Sequence, residues 1–129
     1  MKIKDILLFE NQLSEEELAV MNSSRDYCQK ELMPRITSAN RNEIFDKGIY
    51  KEMGEMGFLG APINGYGCAG TNYVSYGLIA REIERIDSSY RSAYSVQTSL
   101  AMHAIYKFGS EEQKDFYLPQ MAKGELIGC

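Results

Sequence analysis

Cysteine is scarce in this chain and poorly placed for chemistry. Cys28, Cys68 and Cys129 are odd in number, form no C-x-x-C pair and have a single histidine, His103, for company. A disulfide framework and a zinc site are therefore not expected, and the thiols read as idle groups in a reducing compartment. Concentrated positive charge is missing too. With a net charge of −4 and no Lys/Arg block, neither nucleic acid nor an anionic membrane is expected as a principal partner. Long apolar runs are also absent. The opening MKIKDILLFENQLSEEEL has too short an apolar stretch for a signal peptide and too many carboxylates for an organellar transit sequence, and no segment reaches membrane-spanning length. The expected location is cytoplasmic.

One absence is more telling than these. Between Arg91 and Lys107 there is no Asp, Glu, Lys or Arg, whereas a surface helix carries charge on the side facing water. Small or mildly polar residues (Ser92, Ala93, Ser95, Thr98, Ser99, Ala101) surround the segment instead, so the spacing predicts a helix contacted on all sides. At about 1.5 Å per residue it runs for roughly 22 Å. A helical net divides it into two ridges. Tyr90, Tyr94, Gln97, Leu100, Ala101, Ala104, Ile105 and Phe108 form the expected core stripe, and Arg91, Ser95, Thr98 and Met102 form the second ridge. The second ridge puts a guanidinium one turn from a hydroxyl, a pairing suited to a carboxylate or phosphate. On periodicity alone a solvated helix end or a surface salt bridge is the more usual explanation of such an arginine.

What is present fits a single helical domain. The chain has 129 residues, 44% hydrophobic and 25% charged, the size and balance of one soluble globular unit. Ser14 and Glu17 have capping-box spacing, and the helix they open is expected to stop at Pro34. A second helix is expected from Asn42, with Phe45, Ile49, Met53 and Met56 on one face and Gly57 as its stop. A third spans about residues 72–86, with Tyr76, Ile79, Ala80, Ile83 and Ile86 as its stripe, and Asp87 or Ser88 can cap the central helix that follows. Ser110 and Gln113 form a second capping box for a short fifth helix interrupted by Pro119. No period-two strand pattern occurs before the final residues.

Gly65, Gly67 and Gly70 match G-x-G-x-x-G, but a dinucleotide fingerprint needs a strand before it and a helix then a strand after it. Here helices flank it, so the glycines read as turning and close-approach residues. His103 has no partner at a catalytic spacing and reads as a hydrogen-bonded core residue. The last residues, Leu126, Ile127, Gly128 and Cys129, look like the opening of a buried strand with nothing to pair with. They suggest the first domain of a longer polypeptide.

The segments EMGEMGFLG, GYGCAG and YGLIAREIERIDSSYRSAYSVQTSLAMHAIYKFGSEEQKDFYLPQMAKGELIGC resemble the N-terminal helical domain of the acyl-CoA dehydrogenases from Leu13 onward. GYGCAG and ERIDSSYRSAYSVQ point to the glutaryl-CoA branch. The resemblance implies an all-α domain of about five helices over residues 1–124, with residues 125–129 beginning a β domain. A C-terminal helical bundle would follow. It implies FAD in the full-length protein, bound by the later domains and a neighbouring subunit and not by this segment alone. It implies a catalytic glutamate in the C-terminal domain, none in these residues, and no metal. It implies an acyl-CoA substrate, glutaryl-CoA, oxidised at the alpha and beta carbons and usually decarboxylated to crotonyl-CoA, in a homotetramer. By resemblance Arg91 and Ser95 hold the distal carboxylate, Glu84 stands beside them, and Gln97 and Thr98 line the acyl cavity. A free-standing helical interaction module without catalysis is the alternative.

Overall fold

Ser14 and Glu17 close the reciprocal bonds their spacing predicts. In a computed structural model that describes residues 7–128, Ser14 Oγ accepts from Glu17 N at 3.2 Å and Glu17 Oε2 accepts from Ser14 N at 2.8 Å. Helix α1 (Glu15–Tyr27) starts there, behind a 3-10 turn over Phe9–Gln12. The stop expected at Pro34 does not occur. The chain passes through a π-helical segment, Cys28–Leu32, and continues as α2 (Met33–Arg41). Proline lacks a donor and its ring crowds the carbonyl one turn back. The wider π-turn just before it, with Pro34 in the first turn of α2, relieves both conflicts.

The second expected helix starts later than Asn42. Asn42 instead ends α2, its Nδ2 donating to Ser38 O at 2.8 Å, and Glu43 adopts a left-handed conformation. Helix α3 is Ile49–Glu55, and Gly57 stops it with φ of +70°. Ile49 and Met53 are buried as expected, while Phe45 and Met56, beyond the ends of α3, are exposed. Asn72 Oδ1 accepts from Ser75 N at 2.8 Å and opens α4 (Tyr73–Glu84), whose buried Ile79 and Ile83 follow the predicted stripe. Asp87 caps α5 (Ser88–Ser95) by accepting from Ser89 N and Tyr90 N. A second π-helical segment, Val96–Met102, leads into α6 (His103–Phe108). Helix α7 (Glu111–Ala122) opens on the Ser110–Gln113 capping box and runs through Pro119. The one bond that proline forgoes belongs to the carbonyl of exposed Asp115, near the helix end.

The chain thus folds as about five rods, all-α, with no strand among the described residues. Helix α1 lies along α4, α5 packs on α4 and α3, and α7 packs on α6 and the second π-segment. Met21, Leu32, Ile49, Met53, Leu59, Ile79, Ile83, Tyr90, Tyr94 and Leu118 fill the space between them. The approach of α3 to the end of α7 is backbone on backbone: a Cβ on Gly54 would stand 2.5 Å from the Lys123 carbonyl, and one on Gly124 would collide with Tyr50 O.

The central rod corrects the helical net. Tyr90, Tyr94 and Gln97 are buried as expected, but Leu100 and Phe108 are 66% and 89% exposed, while Thr98 and Met102 are buried. The π-segment adds about one residue per turn. The face pointing inward therefore moves forward along the sequence at Thr98, and the extrapolated stripe rotates out to solvent. Leu126, Ile127 and Gly128 form no strand; they lie against the rod, with Gly128 too close to Ala101 to carry a side chain. Cys129 lies outside the described residues.

Candidate functional site

The turn between α4 and α5 brings four polar side chains into one row. Glu84 is the last residue of α4, Ser88 the first of α5, and Arg91 and Ser95 follow at three- and four-residue steps. Arg91 Nε donates to Glu84 Oε2 at 2.6 Å, and Arg91 Nη1 donates to Ser95 Oγ at 3.1 Å. Ser95 in turn donates to Ser92 O at 3.2 Å, which leaves its oxygen facing the guanidinium. Ser88 Oγ donates to the other carboxylate oxygen, Glu84 Oε1, at 2.7 Å. The Ser88 hydroxyl and then the Arg91 guanidinium hold the Glu84 carboxyl below the usual carboxylate range. The row is accessible, with the Arg91 and Glu84 side chains 37% and 45% exposed. Among the described residues Arg91 Nη2 has no partner. A planar cation with two of its five N–H donors engaged and part of its surface exposed has donors left over for a planar anion.

The sequence brings Arg91, Ser95 and Glu84 together as expected. It misses Ser88, although the four-residue step from Glu84 is the signal that would have found it. Gln97 and Thr98 lie apart from the row, turned inward. The Gln97 carboxamide donates to Met121 O at 3.1 Å and to Leu126 O at 2.8 Å, and accepts from Gly128 N at 2.9 Å. Thr98 Oγ1 accepts from Gly60 N at 3.2 Å. Each is essentially inaccessible to water.

The remaining chemistry-bearing residues are structural. Glu82, one step from Glu84 on the opposite side of α4, is buried and ringed by Arg25, Arg81 and Arg85 at 3.4, 3.8 and 3.3 Å. This cluster ties α1 to α4; the Glu82–Arg85 step is a local helical spacing, but the partner on α1, Arg25, is not announced by any spacing in the sequence. His103 departs from the expected hydrogen-bonded core residue: it is half-buried, makes no side-chain hydrogen bond among the described residues, and stands beside Tyr106 with ring centroids 6.2 Å apart. Burial pushes the Cys28 thiol up to about 12 and the Cys68 thiol up to about 11, so both stay protonated at neutral pH. Among the described residues no three metal-ligating side chains gather, and no helix is long and apolar enough to cross a membrane.

The sequence model described as acyl-CoA dehydrogenase, N-terminal domain, matches residues 14–125. The chain is 35% identical over 118 residues to an acyl-CoA dehydrogenase of Bacillus subtilis, covering 91% of this chain and 31% of that protein. It is 33% identical over 119 residues to the human mitochondrial short-chain specific acyl-CoA dehydrogenase, covering 92% and 29%. Among solved structures it resembles glutaryl-CoA dehydrogenase from Mycobacterium smegmatis at 44% identity and a TM-score of 0.92, covering 95% of this chain and 32% of that one. A structure of a glutaryl-CoA dehydrogenase from the same organism in complex with FADH2 matches at 42% identity and a TM-score of 0.89, covering 92% and 31%. The chain belongs to the acyl-CoA dehydrogenase family and spans about three tenths of the length of the curated relatives it matches.

FAD accompanies members of this family, one of them an acyl-CoA dehydrogenase from Bacillus anthracis. In the glycine loop a Cβ on Gly65 or Gly67 would meet no protein atom within 4 Å. The start of α4 beyond it is satisfied by Asn72, which also donates to the Glu17 carboxylate at 2.8 Å. An acid at that position disfavours a pyrophosphate.

Proposed function

We propose that this chain is the N-terminal, substrate-side domain of an FAD-dependent glutaryl-CoA dehydrogenase, and that its task is to receive the far end of the acyl chain. The observation that carries the reading is the half-engaged Arg91, held by Glu84 and Ser95 with its outer edge open. A distal carboxylate would bind along the Nη1–Nη2 edge, and such a charge-assisted contact contributes about 1.5–3 kcal/mol. A plain fatty acyl chain would leave that edge unpaired and desolvated, so the arrangement discriminates as well as binds. Identity supports the same branch: 42–44% to the glutaryl-CoA dehydrogenases, against 27% to a butyryl-CoA dehydrogenase from Megasphaera elsdenii.

In this reading proton abstraction and FAD binding belong to segments other than these residues, in a homotetrameric cytoplasmic enzyme that usually decarboxylates its product to crotonyl-CoA. Gln97 and Thr98, both inaccessible to water and bonded to the domain's own backbone, back the wall of the acyl cavity in this reading and do not face the acyl chain. The test is Arg91→Ala in the flavin-loaded enzyme. We expect kcat/KM for glutaryl-CoA to fall roughly tenfold to a hundredfold more than for butyryl-CoA. Equal losses on the two substrates would sink the carboxylate role.

A further inference from the structure

A receptor for a carboxylate that already contains a carboxylate poses a problem. Glu84 and Arg91 are oppositely charged and in contact at 2.6 Å, and the favoured geometry of such a pair is two-pronged, with both carboxylate oxygens on the Nε–Nη2 side of the guanidinium. That arrangement would spend Nη2 internally and leave little for a ligand. The contact here has one prong. Only Oε2 meets Arg91, through Nε, because Oε1 is turned away to accept the Ser88 hydroxyl at 2.7 Å. Ser95 takes one Nη1 hydrogen. What remains of the fork is Nη2 and the second Nη1 hydrogen, on a side chain 37% exposed.

Resting on the carboxylate-receptor reading above, we propose that Ser88 is a positioning residue: it holds Glu84 in a one-pronged contact and thereby keeps the end edge of Arg91 open for the distal carboxylate of the substrate. Ser88 touches no ligand in this account. It acts across the α4–α5 corner, where the Asp87 cap fixes its backbone at the first turn of α5 and places its hydroxyl within reach of Glu84. Without the hydroxyl, Glu84 Oε1 has no competing donor among the described residues other than Arg91, and the pair closes into the two-pronged form. The cost falls on binding of substrates with a distal carboxylate and spares the chemistry at the other end of the acyl chain.

The experiment is a set of variants of the flavin-loaded enzyme assayed with glutaryl-CoA and butyryl-CoA. Ser88 is exposed and the Asp87 cap does not use its side chain, so Ser88→Ala is expected to fold. Loss of one charge-assisted hydrogen bond predicts a rise in the KM ratio, glutaryl-CoA over butyryl-CoA, of roughly fivefold to tenfold with kcat little changed. Ser88→Thr, which keeps the hydroxyl, should restore the ratio. In a Glu84→Ala background Ser88→Ala should have no further effect, a coupling that a merely structural serine would not show. If Ser88→Ala shifts both substrates equally, or keeps its full effect when Glu84 is gone, the positioning role is wrong while the receptor stands. If Arg91→Ala is itself unselective, the receptor reading and this one fall together.

Discussion

Two arginines of this domain have nearly the same exposure and opposite assignments. The Arg35 side chain is 31% exposed and that of Arg91 37%, so burial does not tell them apart. Their donors do. Arg35 Nε donates to Glu31 O at 2.6 Å, Nη1 to Asp46 Oδ2 at 3.0 Å and to Glu52 Oε1 at 2.9 Å, and Nη2 to Glu52 Oε2 at 2.6 Å. Tyr27 completes the network by donating to Glu52 at 2.9 Å. Two carboxylates and a carbonyl engage four of the five N–H donors of that guanidinium, and the network joins α1 and α2 to α3. Arg91 faces one carboxylate by one prong and one hydroxyl. The lesson is that an arginine's donor inventory, more than its accessibility, separates a brace from a receptor.

The comparison breaks first on stability. Arg35→Ala leaves Glu52 and Asp46 without their cation at a junction of three helices, and we expect a loss of about 2–3 kcal/mol, measured by urea unfolding of the chain. Arg91→Ala should stay within about 0.5 kcal/mol, as exposed pairs do. Similar losses for the two variants would erase the distinction. A smaller effect sharpens the contrast between inward and outward polar residues on the central rod. Gln97→Met keeps the volume but strips bonds from one buried and two part-buried backbone groups, and should cost about 1–2 kcal/mol by the same measurement. A neutral result would show that Leu126, Ile127 and Gly128 gain nothing from the clamp.

How much of this was legible follows from the range of each interaction. Ser14–Glu17, Asn72–Ser75, Asp87–Ser89 and Ser110–Gln113 are caps closed within three residues, and local spacing reads them directly. The stripe of α4 is equally local. Arg91 and Ser95 were visible because they lie on successive turns of α5, whereas Glu84 and Ser88 meet across the α4–α5 corner, and Glu84 entered only through the family resemblance. The π-segments were not legible. Each changes the period in mid-helix, and the one at Val96–Met102 turned Leu100 and Phe108 outward and Met102 inward. The reasons for it are tertiary: Thr98 meets Gly60, and Gln97 meets the residues after α7. The ring of arginines around Glu82 joins α1 to α4 across more than fifty residues, and nothing in local pattern encodes a partner at that distance.

The smallest expected effect is on pH dependence, and it separates the brace from a generic surface pair. Arg35 first, then the Tyr27 hydroxyl, hold the Glu52 carboxyl below its ordinary value of 4.5, against the opposing influence of burial. A carboxyl whose folded-state pKa is depressed binds its proton more readily in the unfolded chain. Its contribution to stability is therefore complete above about 4.5 and is lost as pH falls toward the folded-state value. In Arg35→Ala the main source of that depression is gone. The difference in unfolding free energy between the wild-type chain and Arg35→Ala should then be constant from pH 7 to about 5 and narrow below it. Glu84 is depressed too, by Ser88 and Arg91, but it is exposed, so Arg91→Ala should run nearly parallel to the wild type over the same range. If the Arg35 gap stays constant down to pH 3, the charge on Glu52 contributes nothing, and Arg35 braces the helices through packing and neutral hydrogen bonds alone.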